Sequence, residues 1–380
     1  MVYVTVKQLP IYHQMTLEEF LYQSYSTNPV IHCSAGNTRT CMYENTPRNL
    51  ADRIDVFELI RKLQEFNKAY KHLAMAKRPD LYTTFYIPKK SKGLRRIDAP
   101  KPELMGALRQ LKTIFEVDFR ALYHTSAFAY VKGRCTVDAV RRHQNNESRW
   151  FGKFDLSNFF GSTTLDFVMQ QLGMIFPFSE VVKYKQGYAE LVSALELAFL
   201  NGGLPQGTPI SPLITNLMMI PIDHKLANTL HDYDRQKYIY TRYADDFMIS
   251  SRYGFDVNKI SDLIISVLGE FNAPFALNRA KTRYGSSAGE NWNLGVMLNK
   301  DNQITIGNKR KRQFQCMLHS YILDRRNGIA WDKHDLQVMY GHYNYFRMVE
   351  KTSIDGIIRH IDEKMSSNVL AYIREDLKAA

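Results

Sequence analysis

Two adjacent aspartates, Asp245 and Asp246, interrupt an otherwise apolar stretch between Tyr243-Ala244 and Phe247-Met248-Ile249-Ser250. The flanking pattern predicts two strands joined by a tight turn. Neighbouring carboxylates repel each other, and a buried carboxylate without a partner is costly. A divalent cation would remove both penalties. The pair therefore indicates a candidate metal site, with a solvent-exposed polar turn as the structural alternative.

A third aspartate, Asp155, lies near the end of a predicted strand over residues 151–156, where a helix N-cap is its structural alternative. Three carboxylates on adjacent strands of one sheet can hold two Mg²⁺ ions about 3.5–4 Å apart, with Mn²⁺ as a substitute. Two such ions clamp the attacking and leaving oxygens of an in-line phosphoryl transfer. The three aspartates together predict a site for this chemistry.

A loop rich in proline and glycine, residues 203–212, separates Asp155 from the aspartate pair. Its three prolines and its Gln-Gly turn fix the backbone just before an apolar helical segment. The loop presents Gln206, whose amide can both donate to and accept from a sugar or base edge. An ordinary surface loop is the alternative.

The composition indicates a globular protein with an anionic partner. The chain has 380 residues, enough for two or three compact units, with 45% hydrophobic and 23% charged residues. It carries 50 Lys and Arg against 38 Asp and Glu, a formal net charge of +12. This excess favours nucleic acid as a partner, with a solubility surplus as the alternative. The four cysteines are scattered without a Cys-x-x-Cys pair, which argues against structural zinc and a disulfide framework.

The sequence shows no sign of a membrane segment. Its first residues lack the charged and apolar regions of a signal peptide, and no run reaches 18 consecutive apolar residues. We therefore expect a soluble, cytoplasmic protein without a membrane partner.

Helical and strand patterns follow one another in mixed order, which favours an α+β fold over a doubly wound parallel sheet. A short helix is expected from Thr16. Further helices are predicted over residues 56–70, 101–119, 163–174, 181–200, 213–222 and 256–271, and from residue 309 onward. Strands are predicted over residues 81–88, 94–100, 151–156 and 239–250, with a strand pair within 293–306.

Six blocks in fixed order resemble the reverse transcriptase family of right-hand polymerases. They are residues 87–100, 154–160, 204–212, 243–246, 278–282 and 293–295, and the resemblance covers roughly residues 80–320. It implies a right-hand polymerase with fingers, a palm built on an antiparallel sheet, and a helical thumb. The implied boundaries are a helical N-terminal extension over 1–80, fingers over 81–150, a palm with inserted fingers helices over 151–290, and primer grip and thumb over 291–380.

The resemblance also implies roles for individual residues. The metal ligands would be Asp155, Asp245, Asp246 and the backbone carbonyl of Leu156. Lys281 would be catalytic by protonating the leaving pyrophosphate, with a surface lysine as the alternative. Nucleotide contacts would come from Lys89, Arg95, Gln206 and Phe160, the last as a steric gate against the 2′-hydroxyl or simply as a core residue. Nucleic-acid contacts would come from Tyr243, Leu294, Gly295, Lys309, Arg310, Lys311 and Arg312.

The implied activity is RNA-templated DNA synthesis from dNTPs by a bacterial enzyme. Its Tyr-Ala-Asp-Asp and Leu-Pro-Gln-Gly-x-Pro-x-Ser-Pro motifs resemble those of bacterial enzymes. Among these, we favour an antiphage reverse transcriptase that copies a partner non-coding RNA. Retron enzymes typically carry an Asn-Ala-x-x-His string and a Val-Thr-Gly string. Both strings are absent at the expected places. A retron enzyme, whose product is msDNA, is therefore a less favoured alternative. A group II intron-like enzyme is a further alternative.

Two rivals come from different classes. A viral-type RNA-dependent RNA polymerase shares the palm and the metals, but usually pairs glycine with Asp-Asp. A non-catalytic RNA-binding module would keep the positive charge without needing three carboxylates. Incorporation of dNTPs and of rNTPs separates these readings. The sequence does not fix the oligomeric state or the priming group.

Overall fold

The computed structural model describes residues 54–88, 93–287 and 295–379. The predicted helix from Thr16 therefore lies outside the described residues, as do Lys89 and Leu294. The described residues form two compact units. Unit 1 contains the described residues up to Tyr130, together with Leu156–Thr229 and Asp262–Leu277. Unit 2 contains Val131–Asp155, Leu230–Ser261 and the described residues from Asn278 onward.

Helices and strands follow one another in mixed order, as predicted. The helices are α1 Val56–Ala69, α2 Lys71–Met75, α3 Pro102–Thr113, α4 Thr136–Asn145, α5 Phe159–Ser162, α6 Leu165–Leu172, α7 Phe178–Val181, α8 Lys185–Glu196, α9 Ser211–Met218, α10 Ile220–Asp232, α11 Val257–Glu270, α12 Asn308–Arg326, α13 Lys333–Val349, α14 Lys351–Met365 and α15 Val369–Ala379. The strands are β1 Tyr82–Pro88, β2 Leu94–Pro100, β3 Trp150–Ser157, β4 Ile239–Tyr243, β5 Asp246–Ser251, β6 Ala276–Leu277, β7 Arg283–Ser286, β8 Met297–Leu298 and β9 Ile304–Thr305. None of the helices described is both long and apolar enough to cross a bilayer.

In unit 1, helix α1 follows directly from its sequence pattern. The Asp55 side chain accepts a hydrogen bond from the Phe57 amide (2.9 Å) and so satisfies a free donor at the helix start. The apolar residues recur at helical spacing and form one buried stripe, which packs against α8. The helix predicted from residue 56 is confirmed.

The helix predicted over residues 181–200 is confirmed in its central part by α8, but its predicted ends are wrong. The chain forms α7, leaves helical geometry at Tyr184, and begins α8 at Lys185. Gly187 lies so close to the Val181 carbonyl that a Cβ there would collide with its oxygen. This close approach folds the two segments against each other, which a continuous helix would not allow. Likewise, the helix predicted over 213–222 is two helices, α9 and α10.

Unit 2 contains an antiparallel sheet in the order β4-β5-β3-β7. Strand β3 is central, and its last residues, Leu156 and Ser157, pair with β6 within unit 1. In unit 2, Phe154 lies opposite Phe247, and both are fully buried. Because side chains alternate across a strand, this apolar pair fixes the register of β3 against β5. The predicted strands around the aspartate pair are confirmed.

Helix α4 was not among the predicted helices, and it supports this sheet from behind. Its His143 is fully buried, with Nδ1 2.6 Å from Ser250 Oγ and Nε2 2.8 Å from Thr241 Oγ1. Ser250 in turn donates to Ser148 Oγ (2.8 Å). Nδ1 must therefore donate to Ser250, which leaves Nε2 to accept from Thr241. A neutral imidazole in one tautomer thus joins α4 to both strands of the β4–β5 hairpin.

The C-terminal part of unit 2 is a bundle of α12 to α15, as predicted from residue 309 onward. Its core contains Phe314, Leu318, Met339 and Phe346, among other buried apolar residues. A second apolar cluster is formed by Val140, Phe151, Met248, Val296 and Leu298, with Tyr345 and Val349 packed against it. The bundle is therefore connected to the sheet through α13.

We expect the His143 network to make stability depend on pH. Burial, with a smaller effect of Arg142, lowers the pKa of His143 from 6.5 to about 3. The neutral imidazole stabilises the fold fully above pH 6.5, and this contribution is lost as the pH falls towards 3. His143 should lower the unfolding free energy by about 1.4 kcal/mol per pH unit below 6. Denaturant unfolding of the protein and of a His143→Gln variant between pH 7 and 4.5 measures this slope.

The control is His231→Gln, because the His231 side chain is 87% exposed. That variant should keep the pH slope of the parent protein, whereas His143→Gln should flatten it. Equal slopes in all three proteins would contradict a neutral buried imidazole.

Candidate active site

The sheet of unit 2 brings two of the three aspartates predicted as metal ligands face to face. In the β3–β5 register, Asp155 lies directly opposite Asp246. Paired residues of an antiparallel sheet project from the same face, and like charges in this position are destabilising. The sheet therefore places these two carboxylates next to each other, and this arrangement carries an electrostatic cost.

The third carboxylate belongs to the turn between β4 and β5. Ala244 has a left-handed φ of 57°, which is unfavourable for a residue with a Cβ. The Arg242 guanidinium, which is only 1% exposed, donates to the Ala244 carbonyl (3.3 Å). A buried cation thus supports the strained turn that presents Asp245.

Two lysines compensate the opposed carboxylates. Lys281 Nζ lies 2.5 Å from Asp155 Oδ1, and Lys153 Nζ lies 2.7 Å from Asp246 Oδ2. Lys281 ends a 3₁₀ turn that is fixed to β3, because the Asn278 amide donates to the Asp155 carbonyl (2.8 Å). Lys153 is on β3 itself, two residues before Asp155, so both side chains leave the same face of the strand.

The electrostatics of the site follow from this arrangement. Burial is the main cause that raises the pKa of Asp245, and the neighbouring carboxylates Asp246 and Asp155 raise it further. The hydrogen bond to Asp155 raises the pKa of Lys281, so its ammonium stays protonated at neutral pH. The carboxylates repel one another, and each added cation lowers their energy.

The donor set fits a hard divalent cation, although no ligand group is preassembled. In the described ranges, no three His, Cys, Asp or Glu side chains form a group that could hold a metal ion as they stand. Asp155 and Asp246 are instead engaged by ammonium groups. Carboxylate oxygens are the ligands that Mg²⁺ and Mn²⁺ prefer, and the lysines already occupy the places where positive charge is needed.

The described residues predicted to contact the nucleotide all belong to unit 1. Arg95 is exposed on β2, and Gln206 is exposed on its loop. Phe159 is a core residue with 2% of its surface exposed, whereas the adjacent Phe160 is partly exposed. The Leu204 amide donates to the Phe160 carbonyl (2.9 Å), which fixes the Gln206 loop to α5. Lys89, the fourth, lies outside the described residues.

The residues predicted to contact nucleic acid belong to unit 2. Tyr243 is half-buried next to the turn. Gly295 has a φ of +98°, and the Arg310 guanidinium packs against it so closely that any side chain there would collide. Lys309 and Arg312 are exposed on α12. Lys311, in contrast, is paired with Glu350 and donates to Ser353 Oγ (3.2 Å).

Sequence reasoning missed Lys153 and Arg242, although both left a signal. Each is a lone basic residue in a segment that otherwise reads as a buried strand. A cation in such a position implies an anionic or carbonyl partner nearby, because a buried charge must be paired. Two cations within three residues of the aspartates therefore pointed towards them.

Residues 87–314 match the family described as "Reverse transcriptase (RNA-dependent DNA polymerase)", well over half of the chain. The chain belongs to the reverse transcriptase family. It is therefore an RNA-directed DNA polymerase with an α+β right-hand polymerase fold, and it copies an RNA template. The predicted enzyme class and fold class are confirmed. Reverse transcriptases as a family use divalent metal ions, which agrees with the oxygen donors described above.

Several of the similar proteins are bacterial retron enzymes. Retron Ec83 reverse transcriptase of Escherichia coli is 24% identical over 305 residues, which cover 77% of this chain and 90% of the relative. Retron Ec73 reverse transcriptase of the same organism is 27% identical, covering 70% of this chain and 82% of the relative. Among solved structures, apo telomerase from Candida tropicalis aligns at 13% identity with a TM-score of 0.46, covering 78% of this chain and 57% of that chain.

We predict that the carboxylate cluster weakens the metal-free fold. Asp245→Asn removes one of three repelling charges, so it should stabilise the protein in EDTA by about 0.5–2 kcal/mol. Thermal and denaturant unfolding measure the change. Asp301→Asn, at an exposed position of unit 2, is the matched control and should leave stability unchanged. An Asp245→Asn variant that is equally or less stable in EDTA would refute the electrostatic cost.

Proposed function

We propose that this reverse transcriptase copies a dedicated non-coding RNA into DNA by two-metal phosphoryl transfer at Asp155, Asp245 and Asp246. The observation that supports this most is the β3–β5 register, which opposes Asp155 and Asp246 beside the turn that carries Asp245. A structural turn would gain nothing from three converging carboxylates. A polymerase needs them to bind cations.

The chain's own residues would divide the work as follows. Asp155, Asp245, Asp246 and the Leu156 carbonyl would hold Mg²⁺, or Mn²⁺ in its place. When bound, the ions would activate the primer 3′-hydroxyl and stabilise the charge of the transferred phosphoryl group. Lys281, which stays protonated at neutral pH, is suited to give a proton to the leaving pyrophosphate.

Nucleotide selection is proposed for unit 1. Lys89 and Arg95 would bind the triphosphate, for which the planar guanidinium of Arg95 is well suited. Gln206 would contact the sugar or base edge. Phe160 would exclude the 2′-hydroxyl, and its partial exposure beside the buried Phe159 is what a gate residue needs.

Binding of the template and primer is proposed for Tyr243, the Leu294-Gly295 segment and helix α12. Lys309, Arg310 and Arg312 would contact phosphates without reading sequence. Lys311 is already paired with Glu350, so we assign it mainly to anchoring α12. In the predicted division, these residues belong to the palm over 151–290 and to the primer grip and thumb over 291–380.

The template and the biological role follow from resemblance. We propose a partner non-coding RNA, copied in the bacterial cytoplasm as part of antiphage defence. A retron enzyme that makes msDNA is the main alternative, and the similarity to the Ec83 and Ec73 retron enzymes favours it. A group II intron-like enzyme is a third reading.

The catalytic proposal predicts a large loss of activity on a conservative change. Asp245→Asn keeps the size of the side chain but removes a ligand charge. We expect extension of a primed RNA template with dNTPs and Mg²⁺ to fall at least roughly a thousandfold, on the order of 4 kcal/mol. Asp301→Asn should extend normally. If Asp245→Asn retains most of the activity, the assignment of this site as the catalytic site is wrong.

The template proposal predicts which nucleic acid copurifies with the protein from its native host. Nucleic acid sequenced after purification should be dominated by one RNA species with its DNA copy. The copy should be missing from Asp245→Asn while the RNA stays bound. A branched RNA–DNA molecule would establish the retron alternative, and an intron RNA the third reading. A heterogeneous RNA population would contradict a dedicated template.

A further inference from the structure

Asp98 is a buried carboxylate at the base of the β1–β2 hairpin, and none of the roles above uses it. It is 7% exposed and accepts hydrogen bonds from Thr84 Oγ1 across the hairpin (2.7 Å) and from Arg96 Nε on its own strand (2.9 Å). Its backbone amide donates to the Gln206 carbonyl (2.9 Å). One residue therefore connects both strands of the hairpin to the loop that carries Gln206.

The loop is held from the other side by close backbone contact. Gly207 has a φ of +117°, and a Cβ there would lie 2.9 Å from Ile97 Cγ2 and 3.1 Å from the Asp98 carbonyl oxygen. Only glycine combines this backbone angle with so close an approach. The Gln-Gly turn and strand β2 are thus packed directly against each other.

The geometry has a consequence for two of the proposed nucleotide contacts in unit 1, Arg95 and Gln206. Side chains alternate along a strand, so Arg96 and Asp98 share one face of β2 and Arg95 projects from the other. Arg95 is exposed and so depends on the hairpin for its position. The bond from Thr84 joins the two strands, and the charge-assisted bond from Arg96 holds the Asp98 carboxylate in the orientation that receives it.

We propose that Asp98 is a positioning residue that sets the β1–β2 hairpin against the Gln206 loop, so that Arg95 and Gln206 act on the same incoming dNTP. This rests on the nucleotide contacts of the proposed function. Asp98 touches neither the reacting atoms nor the nucleotide. It therefore affects how tightly the nucleotide binds and leaves the chemical step unchanged.

The first test is Asp98→Asn, which retains one acceptor oxygen for Thr84 but removes the charge that Arg96 meets. In single-nucleotide extension at varied dNTP, we expect KM for the dNTP to rise on the order of tenfold, with kcat within about twofold of the parent. Thr84→Val should raise KM less, because it removes one donor and keeps the carboxylate. Its matched control is Thr83→Val, the neighbouring exposed threonine, which should change nothing.

The second test asks whether Asp98 acts through the loop. Gln206→Ala should raise KM by itself, and adding Asp98→Asn should then raise it by less than about twofold, since coupled residues give non-additive effects. Fully additive changes would overturn the proposal, as would an unchanged KM in both Asp98→Asn and Thr84→Val. A fall in kcat and thermal stability with KM unchanged would assign Asp98 a purely structural role.

These outcomes separate the proposal from the function on which it rests. If Gln206→Ala leaves KM unchanged, the nucleotide role of Gln206 fails. If Gln206→Ala raises KM but neither Asp98→Asn nor Thr84→Val does, the nucleotide role stands and the positioning role fails. If Asp98→Asn does not fold, the Thr84→Val and Thr83→Val pair still decides the question, because both variants keep the carboxylate.

Discussion

The opposition of Asp155 and Asp246 across two paired strands is the constraint on which the site depends. The fold cannot relieve this repulsion by sliding, because a one-residue slip would move the buried Phe154 and Phe247 to the other face of the sheet. Apolar burial therefore holds two like charges together. The resulting demand for cations is built into the sheet before any substrate binds, and such local electrostatic cost is typical of functional sites.

The residue that supports the β4–β5 hairpin from behind is neutral, whereas the side chains that compensate the carboxylates in front of it are charged. His143 connects α4 to β4 and β5 through hydroxyl groups only, and burial keeps its imidazole uncharged. Arg242 is the buried exception, and its guanidinium donates to the backbone of the turn. The cations that contact carboxylates are on long, flexible lysine side chains. Rigid backbone placement is thus combined with positive charge that can move.

The sequence was sufficient for those parts that depend on local pattern. The hairpin around the aspartate pair, the strand with Asp155 and the amphipathic stripe of α1 all follow from residue spacing, and the order of the motifs identified the family. Lys281 lies beside Asp155 in the structure, and it was the resemblance rather than residue spacing that drew attention to it. The start of α8 was predicted too early, because it depends on a contact of the folded chain rather than on helix propensity. Gly187 approaches the Val181 carbonyl too closely for one continuous helix.

Polar partners were the hardest to predict for the same physical reason. A lysine inside a strand shows that an anion is near but not which one, because register is a property of the folded sheet. Lys153 meets Asp246 only after β3 and β5 have paired, over a separation of 93 residues. The link from Asp98 to Gln206 likewise joins a hairpin to a loop that is more than a hundred residues away in the chain. Such links require the tertiary fold.

The two lysines also differ in how readily they can leave their carboxylates. The Lys281 side chain is 63% exposed, whereas that of Lys153 is 22% exposed and belongs to the central strand. The carboxylates differ in the opposite sense, because the Asp155 side chain is 11% exposed and that of Asp246 is 30% exposed. Lys281 can move into water, but its departure leaves the more buried carboxylate unpaired, which is costly unless another cation takes its place. Release of Lys281 and arrival of a cation at Asp155 are therefore coupled, whereas Lys153 stays beside Asp246 on the central strand.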